Sequence, residues 1–217
     1  MHYPHGPDYL ASRRGQDPKL LDVHARLRSQ EPELPVPLED IQEDLRVDSD
    51  DDLATIGRIA DGVCAYLEER TAWAFKVGEY ESRLSEWWPG QSVKIQKGPY
   101  RDGITISYLS AADTWTDLTP ADFRVIEDGR TFSIRLSKGF TCPALYDDRD
   151  GIRIRFNAGF DGENVSGNGD HPIGDGLKTL LMACCAHLYK KREAGRDELR
   201  QPNLALDPIL ETYRWLW

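Results

Sequence analysis

The chain has 217 residues, of which 40% are hydrophobic and 29% are charged, and this composition excludes disordered and fibrous classes of protein. Its 27 basic and 37 acidic residues leave a formal net charge of −10, which repels nucleic-acid phosphates and anionic membranes and argues against a basic DNA-binding protein. We find no apolar run that could span a membrane, no secretory signal and no CxxC spacing among the four cysteines, so reduced thiols in an intracellular setting are expected.

Residues 1–36 have the composition of an N-terminal extension and linker, because they contain five prolines and few large apolar residues. One short amphipathic helix is predicted over residues 18–29, where Leu20, Leu21, Val23 and Leu27 supply the apolar side. The proline-rich residues 31–37 predict an extended linker.

Two helices are predicted next, over residues 38–45 and 51–70. An acidic run lies where the second helix begins, and carboxylates there accept hydrogen bonds from free N–H groups and complement the helix dipole. A calcium-binding EF-hand loop is excluded because its sixth and twelfth positions, counted from Asp48, hold Leu53 and Ile59 instead of Gly and Glu. The acidic run contains Asp48, Asp50, Asp51 and Asp52, and the apolar stripe of the second helix contains Leu53, Ile56, Ile59, Ala60, Val63, Cys64 and Leu67.

The middle of the chain predicts an antiparallel β unit of six short strands, separated by turns rich in Gly, Pro and Asp. Isoleucine and arginine alternate in the last of them, which predicts one buried and one wet face. A long helix is then predicted over residues 173–194 and a short terminal helix or tail over 207–217. The strands are predicted over residues 76–84, 92–96, 103–109, 123–127, 131–136 and 151–156.

This order of elements predicts an α+β fold: a small helical bundle with an inserted antiparallel β unit and extended N- and C-terminal segments. Residues 37–75 together with 172–217 would form the helical core and its tail. Residues 76–171 would form the β insertion and a Gly-rich loop.

The sequence shows no pattern of a catalytic, metal or cofactor site, so a non-enzymatic protein without a cofactor is predicted. Cys184 and His187 can meet on one helix face, but the helix is apolar, which favours a core thiol beside a hydrogen-bonded histidine. The Gly-rich residues 161–170 lack the GK[ST] ending of a phosphate-binding loop. A metal-dependent nuclease would need spaced carboxylates that converge on ions, whereas the acidic run is contiguous.

The aromatic residues leave two alternatives open. Trp87 and Trp88, like the aromatic residues that close the chain, either pack on the protein's own core or anchor an interface, since Trp, Tyr and Arg dominate interface hot spots. A second class of function follows from the tryptophan pair: a module that binds a ligand such as a glycan on its β unit. Such a module requires an apolar groove with convergent polar groups.

From about residue 37 to the C-terminus, the order of motifs resembles the head–tail connector (adaptor) proteins of tailed phages, a family described as gp6-like. The 1–36 extension and the length of the Gly-rich loop depart from the family pattern. The resemblance is carried by an LRVD motif at 45–48 followed by Asp51, Asp52 and Leu53, by Glu68 and Thr71 at a helix end, by residues 154–160 at a strand end, by Pro172, His187, Tyr189, Arg192 and Glu193, and by residues 209–214 at the close.

The resemblance implies a structural virion protein of the neck, assembled in the host cytoplasm. Such adaptors form a ring, here of twelve copies, beneath the portal protein. They extend the DNA channel and dock a stopper or other tail-side protein, and an acidic lumen lets double-stranded DNA pass without specific binding. Their C-terminal segment reaches into the portal, so the expected portal-docking residues are Tyr213, Arg214, Trp215 and Trp217.

The charged ends of the helical part are expected either to line the channel or to join neighbouring subunits. A ring contact is heterologous, so an acidic face of one subunit would meet a basic face of the next. The alternative that both faces are merely solvated stays open. The acidic residues are Asp48, Asp50, Asp51 and Asp52, and the basic residues are Lys190, Lys191 and Arg192.

Overall fold

The computed structural model describes residues 20–30, 33–146, 150–161 and 171–191. These residues form an α+β fold, as predicted, with helices α1 (Leu38–Leu45), α2 (Leu53–Thr71) and α3 (Asp175–Lys190) packed on one another. Among the described residues, no helix combines the length and the apolarity that crossing a membrane requires.

In the described part of the chain, nine strands form two sheets. The four-stranded sheet has the order β1-β4-β8-β7, with β1 parallel to β4 and the other pairs antiparallel. The five-stranded sheet has the order β2-β3-β9-β5-β6 and is antiparallel throughout. The strands are β1 (Leu20–Val23), β2 (Arg26–Gln30), β3 (Gly78–Leu84), β4 (Ser92–Ile95), β5 (Thr105–Leu109), β6 (Trp115–Asp117), β7 (Phe123–Asp128), β8 (Thr131–Leu136) and β9 (Ile152–Ala158).

The two sheets enclose one hydrophobic core. Phe132 of β8 meets Phe156 of β9 edge to face, with 4.8 Å between ring centroids, and Tyr80 of β3 stacks on Phe156 at 5.8 Å. Every second residue of β9 is buried while Arg153 and Arg155 reach the surface, so the predicted alternation is confirmed. Aromatic pairs of this kind add to the stabilisation from burial alone.

The helices enclose a second core. The predicted apolar stripe of α2 is buried against α3, and Leu53 and Ile59 at its margin are only partly buried. Each fully buried aliphatic side chain of this kind contributes about 1.5–3 kcal/mol. The buried members are Ile56, Ala60, Val63, Cys64 and Leu67 of α2 and Leu177, Leu180, Leu181 and Cys185 of α3.

Glu68, in the last turns of α2, fixes the helices to the β unit. Its Oε1 accepts hydrogen bonds from the backbone N–H groups of Phe75 at 2.7 Å and Lys76 at 3.1 Å. The Lys76 ammonium lies 2.9 Å from the carboxylate of Asp61, which precedes Glu68 on α2 by about two helical turns. Phe75 and Lys76, which lie between α2 and β3, are therefore held to α2 by charge-assisted contacts.

The helix predicted over residues 18–29 is wrong, because Leu20–Val23 and Arg26–Gln30 form the strands β1 and β2. β1 extends the four-stranded sheet beside β4, and β2 pairs with β3 at an edge of the five-stranded sheet. A short isolated helix is marginal in water, whereas each sheet edge offers backbone partners for the whole segment.

Other predicted boundaries changed less. The helix Leu38–Leu45 is confirmed to the residue, and the next helix begins at Leu53 after a 3₁₀ turn over Asp50–Asp52. The six predicted strands are present, but they belong to two sheets and β6 was not predicted. The predicted terminal helix over 207–217 lies outside the described residues.

Candidate functional site

The acidic run forms the beginning of α2. The hydroxyl of Ser49 accepts a hydrogen bond from the N–H of Asp51 at 3.2 Å, and the 3₁₀ turn that follows leads directly into the helix. The carboxylates of Asp48, Asp50 and Asp51 are exposed and form no ion pair with the described residues. They stand at the positive end of the helix dipole, as predicted, but the predicted capping by a carboxylate is wrong: Asp52 makes no side-chain cap to α2, and the Ser49 hydroxyl caps the 3₁₀ turn instead.

The end of α3 lies beside this acidic run. The Tyr189 hydroxyl donates a hydrogen bond to the carboxylate of Asp52. Lys190, which is exposed, and Lys191, which is half-buried, follow directly. The structure therefore brings the predicted acidic and basic residues to one end of the helical layer of a single subunit. Arg192 lies outside the described residues.

Helix α1 extends the negative charge. Asp40 is held by the ammonium of Lys178 on α3 at 2.8 Å, whereas the other carboxylates of α1 form no ion pair with the described residues. The side-chain amide of Gln42 donates to the carbonyl of Ser49 at 3.4 Å and links α1 to the acidic run. We define the acidic surface as the exposed residues Glu39, Glu43, Asp44, Asp48, Asp50 and Asp51.

A basic groove on the four-stranded sheet was not predicted from the sequence. It has a volume of about 400 Å³. Its arginines, Arg124 of β7 and Arg135 of β8, are direct cross-strand partners, so their side chains share one face of the sheet. The sequence does show Arg124 and Ile126 at alternate positions of β7, which places both on one face of the strand. Only the register of β7 with β8 shows that Arg135 lies on the same face. The groove is lined by Arg124, Ile126, Arg135, Leu136, Ser137 and Lys138.

Glu81 neutralises a cluster of arginines on the five-stranded sheet. Its buried carboxylate accepts hydrogen bonds from Arg28 at 2.6 Å, Arg83 at 2.8 Å and Arg155 at 3.0 Å. Burial alone would raise the pKa of Glu81, but the three guanidinium groups outweigh it and lower the pKa to about 2. The carboxylate is therefore ionised and fully paired at neutral pH.

The tryptophan pair packs on the β core, which is the first of the two alternatives. Trp88 is fully buried. The indole N–H of Trp87 donates to the carbonyl of Pro143 at 2.8 Å, and its ring lies 5.5 Å from Tyr108 and 5.4 Å from Phe140. A glycan module of the predicted kind would need these rings on a groove, and here they hold loops to the sandwich.

Cys184 and His187 lie on α3, as predicted, and neighbouring Cys185 is the fully buried thiol. Burial raises the pKa of Cys184 to about 11, which opposes the thiolate form that a nucleophile requires. In the described part of the chain, no three His, Cys, Asp or Glu residues are grouped so that they could hold a metal ion.

The Gly-rich loop is closed at its base by Asp161. The Asp161 carboxylate accepts a hydrogen bond from the N–H of His171 at 2.6 Å and forms an ion pair with the buried guanidinium of Arg101. Residues 162–170 lie outside the described residues, as do the predicted docking residues Tyr213, Arg214, Trp215 and Trp217.

No family model matches the chain. A search of curated proteins likewise gives no match. Solved structures with the same fold come from gene transfer agent (GTA) particles. A chain in the neck of an empty GTA particle, computed with C6 symmetry, is 19% identical with a TM-score of 0.68. A chain in the virion of a native particle is 18% identical with a TM-score of 0.67, and one in the native neck computed with C12 symmetry is 18% identical with a TM-score of 0.64. Each match covers 89% of this chain and 96% of the other.

Proposed function

We propose that this chain is a structural neck protein of a phage-like virion and serves as its head–tail adaptor. The observation that carries the proposal is the fold, which is shared over 89% of the chain with proteins in the neck of GTA particles. The order of sequence motifs supports the same function independently, because it resembles phage adaptors. The role is structural and requires no catalysis and no cofactor.

In this role the protein forms a ring beneath the portal protein, extends the DNA channel and docks a stopper or other tail-side protein. The C6 and C12 symmetries of the neck structures with this fold support a ring of twelve copies. Closed rings arise when one heterologous contact is repeated until the rotation closes. The protein assembles in the host cytoplasm and then resides at the head–tail interface of the virion.

The charge of the chain suits a channel protein. A net charge of −10 would repel DNA phosphates, so that double-stranded DNA passes through the ring without specific binding. The carboxylates of Asp48, Asp50, Asp51 and Asp52 then face either the lumen or the neighbouring subunit, together with Lys190, Lys191 and Arg192.

The C-terminal aromatic segment is the proposed anchor in the portal. We would purify the portal protein of the same particle with the full chain, with a chain lacking residues 207–217, and with a chain carrying alanine at the four docking residues. The full chain should co-purify, and both variants should lose binding. A matched control is Tyr146→Ala, which removes an aromatic ring of 43% exposure from the β unit. Failure of the full chain to bind the portal would contradict the proposed function.

The four docking residues replaced in that variant are Tyr213, Arg214, Trp215 and Trp217.

A further inference from the structure

We propose that the basic groove of one subunit binds the acidic surface of a second copy of this chain. The groove lies on the four-stranded sheet and the acidic surface lies on the helical layer, so the contact joins two different surfaces of the same protein. Repeated from copy to copy, it builds a ring. The proposal rests on the proposed function, because it names the contact that holds that ring together.

The first argument is uncompensated positive charge. Arg124 and Arg135 face each other across β7 and β8, and like charges directly opposite in a sheet are destabilising. Neither these arginines nor Lys138 forms an ion pair with any described residue. An acidic partner that enters the groove would relieve this repulsion.

The five-stranded sheet shows how arginines are neutralised within one subunit. There Glu81 stands among three arginines and accepts a hydrogen bond from each. The described residues place no equivalent carboxylate at the basic groove. In the proposed contact, the acidic surface of the second copy supplies the negative charge.

The second argument is the apolar content of the groove. Ile126, two residues after Arg124 on β7, is 48% exposed, and Leu136 forms part of the groove lining. β7 is also the last strand in the order of its sheet, so one edge of its backbone has no strand partner among the described residues. An apolar centre with a charged rim is the usual anatomy of a protein interface, and an open sheet edge promotes pairing with another chain.

The third argument identifies a second copy as the partner. The acidic surface offers six exposed carboxylates that form no ion pair with the described residues, and the groove offers three cations. Lys190 and Lys191 share the acidic end of the helical layer, whereas the groove is a basic surface on the four-stranded sheet. DNA is disfavoured as the occupant, because it would have to approach a chain of net charge −10.

Charge reversal gives a sharp test, because each subunit carries both surfaces. One variant, Arg124→Glu with Arg135→Glu, has two acidic surfaces. A second variant, in which four of the six carboxylates of the acidic surface become lysine, has two basic ones: Asp44→Lys, Asp48→Lys, Asp50→Lys and Asp51→Lys. Ring assembly on the portal protein of the same particle is counted by negative-stain imaging. Each variant alone should assemble about tenfold less than the unchanged chain.

Mixed in equal amounts, the two variants should assemble again, because alternating copies restore opposite charges at every contact of an even-numbered ring. Restoration also shows that both variants are folded. A matched control, Arg26→Glu with Arg58→Glu, changes the charge equally at exposed positions outside the groove and should assemble normally. A milder variant, Arg124→Gln with Arg135→Gln, should reduce assembly less.

Four outcomes would overturn the proposal. Rings from the Arg124 and Arg135 variant alone, or a mixture that stays unassembled, would exclude this pairing while the proposed function stands. If the Arg124 and Arg135 variant forms normal rings but binds DNA more weakly and with less salt dependence than the unchanged chain, the groove is assigned to DNA. If the unchanged chain forms no ring on the portal, the proposed function fails and this contact fails with it.

Discussion

The Tyr189 hydroxyl in the last turn of α3 donates a hydrogen bond to the carboxylate of Asp52, the residue that precedes α2. This contact joins the acidic residues at the beginning of α2 to the basic residues at the end of α3. The apolar faces of α2 and α3 are also buried against each other. The charged ends that the sequence marks as interaction residues are consequently one surface of the subunit.

Replacement of Tyr189 by Phe should lower the free energy of unfolding by about 1–2 kcal/mol, because it removes a hydrogen bond to a partly buried carboxylate. Urea denaturation followed by circular dichroism measures the change. Tyr66→Phe is the control, since the hydroxyl of this exposed tyrosine forms no hydrogen bond with the described residues. Equal stability of the Tyr189→Phe variant and the parent would show that the contact contributes nothing.

Glu81 should make the protein sensitive to acid. Its pKa is lowered from 4.5 to about 2, so its contribution is fully present above about pH 4.5 and is lost as the pH falls toward 2. Glu81→Gln leaves three guanidinium groups without their carboxylate and should cost about 2–3 kcal/mol at neutral pH. The variant should also lose less stability than the parent between about pH 5 and pH 2.

Urea denaturation at several pH values measures both effects of this substitution. Glu79→Gln is the control, because its half-exposed carboxylate meets Arg28 at 3.5 Å and should cost less than about 1 kcal/mol. A parent protein whose stability stays constant down to pH 2 would contradict the assigned role of Glu81.

Gly159 directly follows β9, and both its backbone angle and its surroundings exclude a side chain. Its φ is +139°, and a Cβ atom would lie 2.5 Å from the carbonyl oxygen of Lys76. Gly159→Ala should therefore destabilise the protein by about 2–4 kcal/mol. Gly139→Ala, where a Cβ meets nothing within 4 Å, should change stability by less than about 1 kcal/mol. Thermal unfolding of the two variants side by side would refute the assignment if their midpoints agreed.

The thiols of the helical core should resist alkylation in the folded protein. Cys64 and Cys185 are buried, and burial raises the pKa of both thiols, to about 12 for Cys185. Iodoacetamide at about pH 8 should label the half-buried Cys142 of the β unit well before these two. Mass spectrometry of tryptic peptides, with urea-unfolded protein as the control, reads the order. Labelling of Cys64 as fast as Cys142 would mean that the helical layer opens freely.

The sequence predicted the elements whose signals are local. Apolar residues at threes and fours specified α2, and the alternation of Ile and Arg specified β9. The register of β7 against β8 is not encoded locally, so the pairing of Arg124 with Arg135 appears only in the folded chain.

The N-terminal strands escaped prediction for a related reason. Leu20–Val23 and Arg26–Gln30 become strands through partners that lie some 50 or more residues later in the chain. The position of Trp87 against Tyr108 and Phe140 depends on contacts of the same long range. The sequence alone allowed Trp87 to be either a core residue or an interface anchor, and its contacts show that it packs on the core.

Imaging of the portal protein purified with and without this chain tests the central claim most directly. An adaptor predicts an added ring of twelve copies on the tail side of the portal, coaxial with the DNA channel. A portal that purifies without the chain, with no added density beneath it, would contradict the claim that the protein is a head–tail adaptor.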